Sequence, residues 1–437
     1  MRVLRVNLLL AGCLAALALA APAHAAPISA HAMVHSCCTP GPLKERVFSE
    51  ASALGADFVR VDVELSGIFA SADASPDWSG LDSIVELAER HRVRILGLLL
   101  APPAGADEED FGRMAGEVAE HTAGSIDHWE IVNEPDGEWA FDGTAEEYAL
   151  MLSSSYDEIK ARAPGAKVLF GGLMRPHEPG WVERVFATPG ADALHKFDIA
   201  NIHLRGPAEA VVRRYGEFRA WLAAQGFAGP LWVTEHGYPA DPAFQVDGAY
   251  TGGDPAQAAY LTQTLVGLGE VGAPQVFVTL RDNLEGEYAT EGLVHIDSGE
   301  GAPASRRQAF DAVRRLTGSW DEIMGWRREQ RAHEQEQRVG LAAAAIAAGE
   351  ARTARMKFHA ARLLVHELQT ELARPRRSAA VRRRAERRLE RRLARVRAVV
   401  AGRRAALLWH RALANWQRAG AAEHAAAASE LRLRIAG

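Results

Sequence analysis

The sequence is organised around two short stretches, WEIVNEP at residues 129–135 and LWVTEHGYP at residues 231–239. In each stretch an apolar run of the kind that forms a buried strand stops at a glutamate, and loop-forming residues follow. The two glutamates, Glu134 and Glu235, are therefore predicted to project from the ends of two strands. A pair of carboxyl groups placed in this way can serve as an acid/base and a nucleophile acting on one bond.

Short apolar runs alternate with amphipathic stretches between residues 28 and 320, as expected for β-α units around a parallel sheet. Eight strands are predicted, at residues 28–35, 57–63, 93–100, 128–133, 167–173, 197–203, 231–235 and 275–280. Eight helices are predicted between and after them, at residues 42–54, 80–91, 108–122, 144–163, 180–187, 207–225, 255–270 and 305–316.

This count of strands and helices predicts a closed (β/α)8 barrel at residues 26–320. A doubly wound open sheet is the alternative fold, but such a sheet normally carries a Gly-rich phosphate loop, and none is apparent in the sequence. In the barrel, Glu134 would follow strand 4 and Glu235 would follow strand 7. Both would lie at the face where barrel enzymes have their active sites.

The Asn133–Glu134 pair after strand 4 and Glu235 after strand 7 resemble the retaining glycoside hydrolases with (β/α)8 barrels, families 39 and 5 in particular. The resemblance covers roughly residues 28–316. It implies hydrolysis of O-glycosidic bonds, with β-linkages expected, by double displacement. Glu134 would be the acid/base and Glu235 the nucleophile, and the mechanism requires no metal or organic cofactor.

The resemblance also implies residues that bind the carbohydrate substrate. Asn133 would hydrogen-bond the 2-hydroxyl of the sugar, and Arg60 matches the arginine on strand 2 that supports the nucleophile. His203 ends strand 6, where these enzymes often carry a histidine or tyrosine; a histidine of the core is the alternative. The chain departs from the pattern at Arg205, where a tyrosine is common, and after strand 8, where a tryptophan is common.

Three further candidates are predicted from their positions after strands. His35 ends strand 1 and is a candidate sugar contact. Trp139 and Tyr238 follow the two motifs on loops, where aromatic rings commonly form platforms for sugar rings.

Successive side chains of a strand point to opposite faces of the sheet. This alternation places Trp232 on the face opposite Glu235, against the helix layer.

Two other classes of function are alternatives to an enzyme. A carbohydrate-binding barrel without catalysis is one, because fold does not dictate function; the intact pair of glutamates argues against it. An envelope-associated protein that acts through its basic C-terminal tail is the other.

The charge is divided unequally along the chain, whose net charge is −6. Residues 26–320 carry 22 Lys/Arg and 44 Asp/Glu, whereas residues 321–437 carry 26 Lys/Arg and 12 Asp/Glu, so their net charges are −22 and +14. This asymmetry and a change to Ala, Arg, Glu and Leu predict a separate C-terminal unit. A solvated hairpin attracted to its own acidic barrel is one expectation for the tail, and an anionic cell-envelope polymer is the other candidate partner. Nucleic acid is not expected, because the chain is predicted to be exported.

The C-terminal extension is predicted to form an α-helical hairpin, at residues 321–373 and 378–434. Leucines and valines form one apolar stripe in each half, at Leu364, Leu368 and Leu372 and at Leu389, Leu393, Val396 and Val400. Pro375 separates the two halves.

Residues 1–25 have the pattern of a secretory signal. Arg2 and Arg5 precede the apolar segment 8–20, and Ala23-His24-Ala25 is a small-x-small cleavage site. A lipoprotein box that ends at Cys13 is the alternative. The mature chain is therefore expected to be secreted or in the cell envelope, without a transmembrane span.

Cys37 and Cys38 are the two cysteines that remain after cleavage. A disulfide between adjacent residues is possible in an exported protein. A zinc site that adds His31 and His35 to the two thiols is the alternative, although it lacks the usual spacing of two residues between cysteines.

Overall fold

The computed structural model describes residues 27–282, 286–296, 304–372 and 379–436. The predicted signal segment and Pro375 lie outside these residues. The described chain divides into two compact units at Met324–Gly325. The first unit is an α/β barrel and the second is a helical hairpin.

Eight parallel strands form the barrel, in the order β5-β4-β3-β2-β1-β8-β7-β6. They are β1 (Ile28–His35), β2 (Phe58–Glu64), β3 (Arg94–Leu100), β4 (His128–Ile131), β5 (Lys167–Leu169), β6 (Ala200–Leu204), β7 (Leu231–His236) and β8 (Val276–Thr279). Parallel bridges from Leu169 to Ile199 and from Leu173 to Ile202 connect the two outer strands. The sheet therefore closes, and the predicted (β/α)8 barrel is confirmed.

Helices follow the strands at nearly the predicted positions. They are α1 (Gly41–Leu54), α2 (Ser79–His91), α3 (Glu108–His121), α4 (Ala145–Arg162), α5 (Gly180–Ala187), α6 (Ala208–Gln225), α7 (Asp254–Glu270) and α8 (Gln308–Leu372). The start of α4 shows how sequence sets a boundary: the Thr144 hydroxyl accepts from the Glu147 N–H, and the Glu147 carboxylate accepts from the Thr144 N–H. A two-stranded antiparallel sheet, β9 (Val294–His295) with β10 (Ser305–Arg306), precedes α8.

The floor of the barrel is a small aromatic and aliphatic cluster contributed by the strands. Its buried members are Phe58, Leu96, Leu169, Ile199, Trp232 and Phe277. Trp232 lies 5.4 Å from Phe58 and 6.0 Å from Phe277, measured between ring centroids. The prediction that Trp232 packs against the helices is therefore wrong, although it is a core residue.

A bulge in β7 explains the error. Val233 pairs with Val276 and His236 pairs with Val278, so β7 holds one more residue than β8 between these pairs. Val233 belongs to the core outside the floor cluster, and His236 bonds Thr264 of α7. The regular alternation of inward-facing and outward-facing side chains is therefore interrupted between Val233 and His236. Both Thr234 and Glu235 face the barrel interior.

The second unit is an antiparallel pair of long helices, the C-terminal part of α8 and α9 (Ala379–Ala436). Near the connection, Leu393 packs against Leu364, Val365 and Val396. Farther along, Glu350 pairs with His410 and Glu336 pairs with His424, each at 2.8 Å. The predicted hairpin is confirmed, although α8 begins inside the first unit and has a non-helical residue at Ser319.

The buried positions of α9 recur at intervals of seven or fourteen, the spacing of a coiled coil. They are Leu393, Leu407, Ala414, Ala421 and Ala428. These positions form the seam, the line along which α9 packs against α8. The predicted stripe of leucines and valines covers only the first part of this seam, and its buried positions after Leu407 are alanines. The side chains of Leu368, Leu372 and Leu389 lie outside the described part.

No helix among the described residues is long and apolar enough to cross a bilayer.

Cys37 and Cys38 are joined by a disulfide just after β1. Of the two alternatives from the sequence, the structure has the disulfide. The thiols are therefore not free to bind zinc, and His31 instead lies 3.7 Å from Glu235.

Candidate active site

The site is built on a buried ion pair in the middle of the barrel. Arg60 of β2 donates from Nε and Nη2 to the two carboxylate oxygens of Glu130 of β4, at 2.8 and 2.9 Å. Neither residue is more than 1 % exposed. The Gly172 N–H also donates to Glu130, at 3.0 Å. Such a buried pair is tolerated because each charge is matched by hydrogen bonds.

Arg60 also orients two residues of the cavity above it. Its Nη1 donates to Glu235 Oε1 at 2.9 Å, and its Nη2 donates to Asn133 Oδ1 at 2.7 Å. The same guanidinium therefore fixes the end of β4 and the end of β7. Arg60 itself lies beneath the cavity and does not line it.

The backbone after β4 turns in an unusual conformation. Val132 and Glu134 have φ angles of 66° and 43°, in the left-handed region that residues other than glycine rarely adopt, β-branched residues such as valine least of all. Each such residue costs about 1–3 kcal/mol, and the surrounding structure must hold it. The Val132 N–H donates to Leu99 O at 3.0 Å, and a Cβ on Gly171 would lie only 2.6 Å from Val132 O. A glycine is therefore required at 171 for this close approach.

Glu134 is held by His203 at the end of β6. The Glu134 Oε1 and His203 Nδ1 atoms are 2.6 Å apart, and His203 Nε2 lies 3.2 Å from the Thr234 hydroxyl. Because that hydroxyl donates to Asn201, it accepts from His203, whose Nε2 then carries the proton. In a neutral ring of this tautomer, Nδ1 is the hydrogen-bond acceptor that faces the Glu134 carboxyl group.

Glu235 lies between two guanidiniums. It accepts from Arg60 on one side and from Arg205 Nη2 on the other, at 3.1 Å. Burial by itself would raise the pKa of Glu235, but the positive charges that face it, of which those of Arg205 and Arg60 are permanent, hold this pKa well below its usual range. Burial lowers the pKa of His31 to about 4, so the permanent positive charges beside Glu235 are the two guanidiniums.

Arg205 is positioned by a second buried carboxylate that the sequence did not indicate. Glu291 is 3 % exposed and accepts from Arg205 Nε and Nη2, at 2.9 and 3.0 Å. The Thr279 hydroxyl donates to it at 2.7 Å. Glu291 lies beyond β8 in a segment without strand or helix periodicity, so neither pattern points to it.

A cavity of about 520 Å³ opens above these groups. It is lined by residues from the ends of several strands, among them His31, Asn133, Glu134, His203, Arg205, Glu235 and Glu291. Trp139 lines it at the outer edge, where its side chain is 72 % exposed. One atom each of Glu134, His203 and Glu235 lie within 4.8 Å of one another, so the two carboxylates approach closely.

Two predicted sugar contacts lie outside the cavity lining. Tyr238 is 1 % exposed, stacks on Tyr260 at 4.0 Å and donates to Tyr250 O. Its expected role as a platform is therefore wrong, and it instead stabilises the loop after β7. His35 bonds Glu64 and lies 3.7 Å from Asp62.

Three groups of described side chains could offer three ligand atoms to a metal ion. In the first, Glu134, His203 and Glu235, the two adjacent guanidiniums oppose a bound cation. The second includes Cys37 and Cys38, whose sulfurs are already joined. The third lies in the hairpin and combines His333, Glu336 and His424.

Comparison with known proteins supports the fold. No protein-family model and no curated protein sequence matches this chain. A family 39 glycoside hydrolase from Bacteroides cellulosilyticus WH2 is similar in structure, with a TM-score of 0.51, 16 % identity and coverage of 67 % of this chain and 64 % of that one. An exo-β-1,4-mannosidase from Opitutaceae bacterium strain TAV5 has the same TM-score and identity, with coverage of 67 % and 59 %.

A family 5 glycoside hydrolase from Streptomyces cattleya, solved in complex with Manβ1-4GlcNAc, has a TM-score of 0.50 and 15 % identity. The match covers 67 % of this chain and 81 % of that one. The aligned part of this chain spans less than two thirds of the first two relatives. The first unit thus has the (β/α)8 fold found in glycoside hydrolases of families 39 and 5.

The buried pair of Arg60 and Glu130 generates a test of stability. We expect Glu130→Ala to lower the free energy of unfolding by about 3–5 kcal/mol, because it leaves the guanidinium buried without its main partner. Urea denaturation of the purified protein measures this change. The matched control is Glu217→Ala, which removes an exposed pair with Arg213 and should cost about 0.5 kcal/mol. Equal losses in the two variants would contradict the structural role given to Glu130.

Proposed function

We propose that the first unit is an exported retaining glycoside hydrolase that cleaves β-linked O-glycosidic bonds of an oligo- or polysaccharide. The observation that carries the proposal is the approach of Glu134 and Glu235, with an oxygen of each within 4.8 Å. Retaining enzymes hold the carboxyl groups about 5–5.5 Å apart, whereas inverting enzymes need about 6.5–9.5 Å to admit a water. The spacing therefore favours direct attack on the sugar.

In the first step, ionised Glu235 attacks the anomeric carbon while Glu134 gives its proton to the leaving oxygen. The bond from the anomeric carbon to that oxygen breaks as the bond to Glu235 forms. In the second step, Glu134 takes a proton from water, and the water oxygen displaces Glu235. The charges of Arg60 and Arg205 keep Glu235 ionised for the first step and stabilise it as the leaving group in the second.

The surrounding residues suit the recognition of a sugar. The Oδ1 atom of Asn133 accepts from Arg60, and the residue lines the cavity, where its amide nitrogen can donate to a sugar hydroxyl. Trp139 presents an exposed ring at the edge of the cavity, as a platform for a second sugar would. Two proteins of similar fold, an exo-β-1,4-mannosidase and a family 5 enzyme in complex with Manβ1-4GlcNAc, act on or bind β-linked sugars. This similarity supports a β-linked substrate here.

A barrel that only binds carbohydrate is the competing proposal. It would not require two carboxylates with different surroundings, one bonded to a histidine and one held between two arginines. Export is supported by the pattern of residues 1–25 and by the disulfide of Cys37 and Cys38, since disulfides persist mainly in oxidising compartments.

The two carboxylates are tested by product stereochemistry and by leaving-group dependence. With a panel of aryl β-glycosides, we expect NMR to show the β-anomer as the first product. Glu235→Gln should reduce kcat by about 10⁴-fold or more, because an amide cannot attack the anomeric carbon.

Glu134→Gln should impair substrates with poor leaving groups by about 10²–10⁴-fold but activated aryl glycosides far less, since the latter need little proton donation. Formation of the α-anomer first would reject the retaining mechanism. Circular dichroism of both variants checks that the fold is intact.

The hydrogen bond from Arg205 to Glu235 predicts how the activity depends on pH. Glu235 must be ionised to attack, and Arg205 lowers its pKa, so loss of Arg205 should raise the pKa of Glu235. The acid limb of kcat/KM should then move to higher pH. The test compares Arg205→Met/Glu291→Gln, which avoids leaving Glu291 unpaired, with Glu291→Gln alone, because the charge of Glu291 also acts on Glu235. Arg214→Met is the control, because Arg214 lines the same cavity without a contact to Glu235; an equal shift there would contradict the role of Arg205.

We also propose that the hairpin binds an anionic cell-envelope polymer. A groove of about 350 Å³ between α8 and α9 is lined by Arg352, Arg355, Arg411 and Arg418 above small alanines. None of these four guanidiniums forms an ion pair in the described part of the chain, although Arg418 donates to Ala414 O and Asn415 Oδ1. Glu350, the nearest acid in sequence, lies 2.8 Å from His410. Arginines that line one groove without an acidic partner suit phosphate or carboxylate groups along a polymer.

Charge-matched variants separate this groove from the general charge of the hairpin. We expect replacement of Arg352, Arg355, Arg411 and Arg418 by Gln to abolish retention on a polyanion such as polyphosphate at about 0.1 M salt, where surface charges are still only partly screened. The control replaces four other exposed arginines of the hairpin, Arg331, Arg338, Arg388 and Arg392. If both variants elute at the same reduced salt concentration, only net charge matters and the groove has no special role.

A further inference from the structure

We propose that His333, Glu336 and His424 form a zinc site that joins the two helices of the hairpin. His333 and Glu336 lie one turn apart on α8, and His424 lies on α9. The site is independent of the activity proposed for the barrel, and it can be tested without any substrate. Two imidazoles and a carboxylate are the ligand types that zinc commonly takes from proteins.

The three ligand atoms are already close together. The Nδ1 atoms of His333 and His424 are 3.3 Å apart. Glu336 Oε2 lies 2.8 Å from His424 Nδ1 and 3.8 Å from His333 Nδ1. Two imidazole nitrogens facing each other at this distance can share only one proton, whereas both can bind one cation with their lone pairs.

The triangle of ligand atoms has the dimensions of a zinc site. In a tetrahedral site with bonds of about 2.0–2.1 Å, two ligand atoms are about 3.3 Å apart. The three observed separations are 2.8, 3.3 and 3.8 Å, whose mean is 3.3 Å. The circle through atoms with these separations has a radius of about 2.0 Å, so a zinc ion just out of their plane reaches all three. Its fourth position is left to water.

A further carboxylate lies near the other nitrogen of His333. Glu329 Oε1 is 4.0 Å from His333 Nε2. This separation is too long for a hydrogen bond, but the negative charge favours the tautomer that carries its proton on Nε2 and leaves Nδ1 available to a metal. His333 is partly buried, with a side chain 27 % exposed, so its ring is also constrained by packing.

The neighbouring helix interface gives such a site a structural role. The buried residues of α9 beside His424 are Ala421 and Ala428, and α8 approaches Ala421 through Gly340. Small side chains bury little apolar area and discriminate weakly between alternative alignments of two helices. Three directional bonds to one ion would select the alignment in which residues 333 and 336 face residue 424.

Zinc binding is measured on the full-length protein made without a polyhistidine tag. After treatment with a chelator, the protein is titrated with zinc chloride in competition with a chromophoric chelator. We expect one zinc per chain, and His333→Ala/His424→Ala should weaken binding by more than about 100-fold, because even the loss of a residue that only supports a ligand costs about 10–100-fold. Cobalt substitution should give the visible absorption of a tetrahedral site, lost in the same variant.

Three controls make the result specific. His359→Ala/His366→Ala removes two exposed histidines from the same helix and should leave zinc binding unchanged. His203→Ala should also retain the zinc, which separates the hairpin from the histidine of the barrel cavity. Glu336→Gln keeps both histidines and should weaken binding to an intermediate degree, which guards against a double variant that misfolds. Absence of stoichiometric zinc in the wild type, or its retention in His333→Ala/His424→Ala, would overturn the proposal.

Discussion

The charge of Arg60 is the constraint on which the barrel site depends. A guanidinium cannot lose its proton inside a protein, so a buried arginine must be surrounded by acceptors. Arg60 meets that requirement with Glu130 of β4, Glu235 of β7 and Asn133 after β4. The acceptors that neutralise the Arg60 charge come from β4 and β7, which are distant from β2 in sequence. The same contacts place Asn133 and Glu235 in the site above Arg60.

The two carboxylates acquire different chemistry from their surroundings. Glu134 faces the imidazole of His203, whose other nitrogen is held by Thr234, and no guanidinium contacts it among the described residues. Glu235 faces Arg60 and Arg205, which favour the ionised form. Arg205 is a distinctive part of this arrangement, because it brings its own buried counter-ion, Glu291, and adds a second fixed charge.

The sequence was sufficient for the barrel and for the order of its strands, because each apolar run is long enough to mark a buried strand. It was insufficient where the backbone departs from regular geometry. The bulge in β7 reverses the face on which Trp232 lies and places it in the cluster at the barrel floor. The left-handed conformation of Val132 ends β4 at Ile131, two residues before the predicted end at residue 133. Alternation of faces cannot anticipate either feature.

Side chains whose role comes from a distant partner were also missed. Glu130 lies inside an apolar strand and Glu291 in an irregular segment, and their function is apparent only when Arg60 and Arg205 are placed beside them. Tyr238 shows the opposite error: its position after β7 suggested a sugar platform, but stacking on Tyr260 buries its ring. A position after a strand indicates nearness to the site, whereas contact with the cavity depends on which way the loop turns.

The hairpin differs from the barrel in what determines its structure. The barrel buries large aromatic and branched residues, which fit together in few ways. The seam of the hairpin consists largely of alanine beyond Leu407, and the residues between the buried positions include polar groups such as Arg403, His410 and His424. Since alanine gives little preference among alignments, the alignment of α8 and α9 must depend on such polar pairs, including Glu350 with His410 and Glu336 with His424.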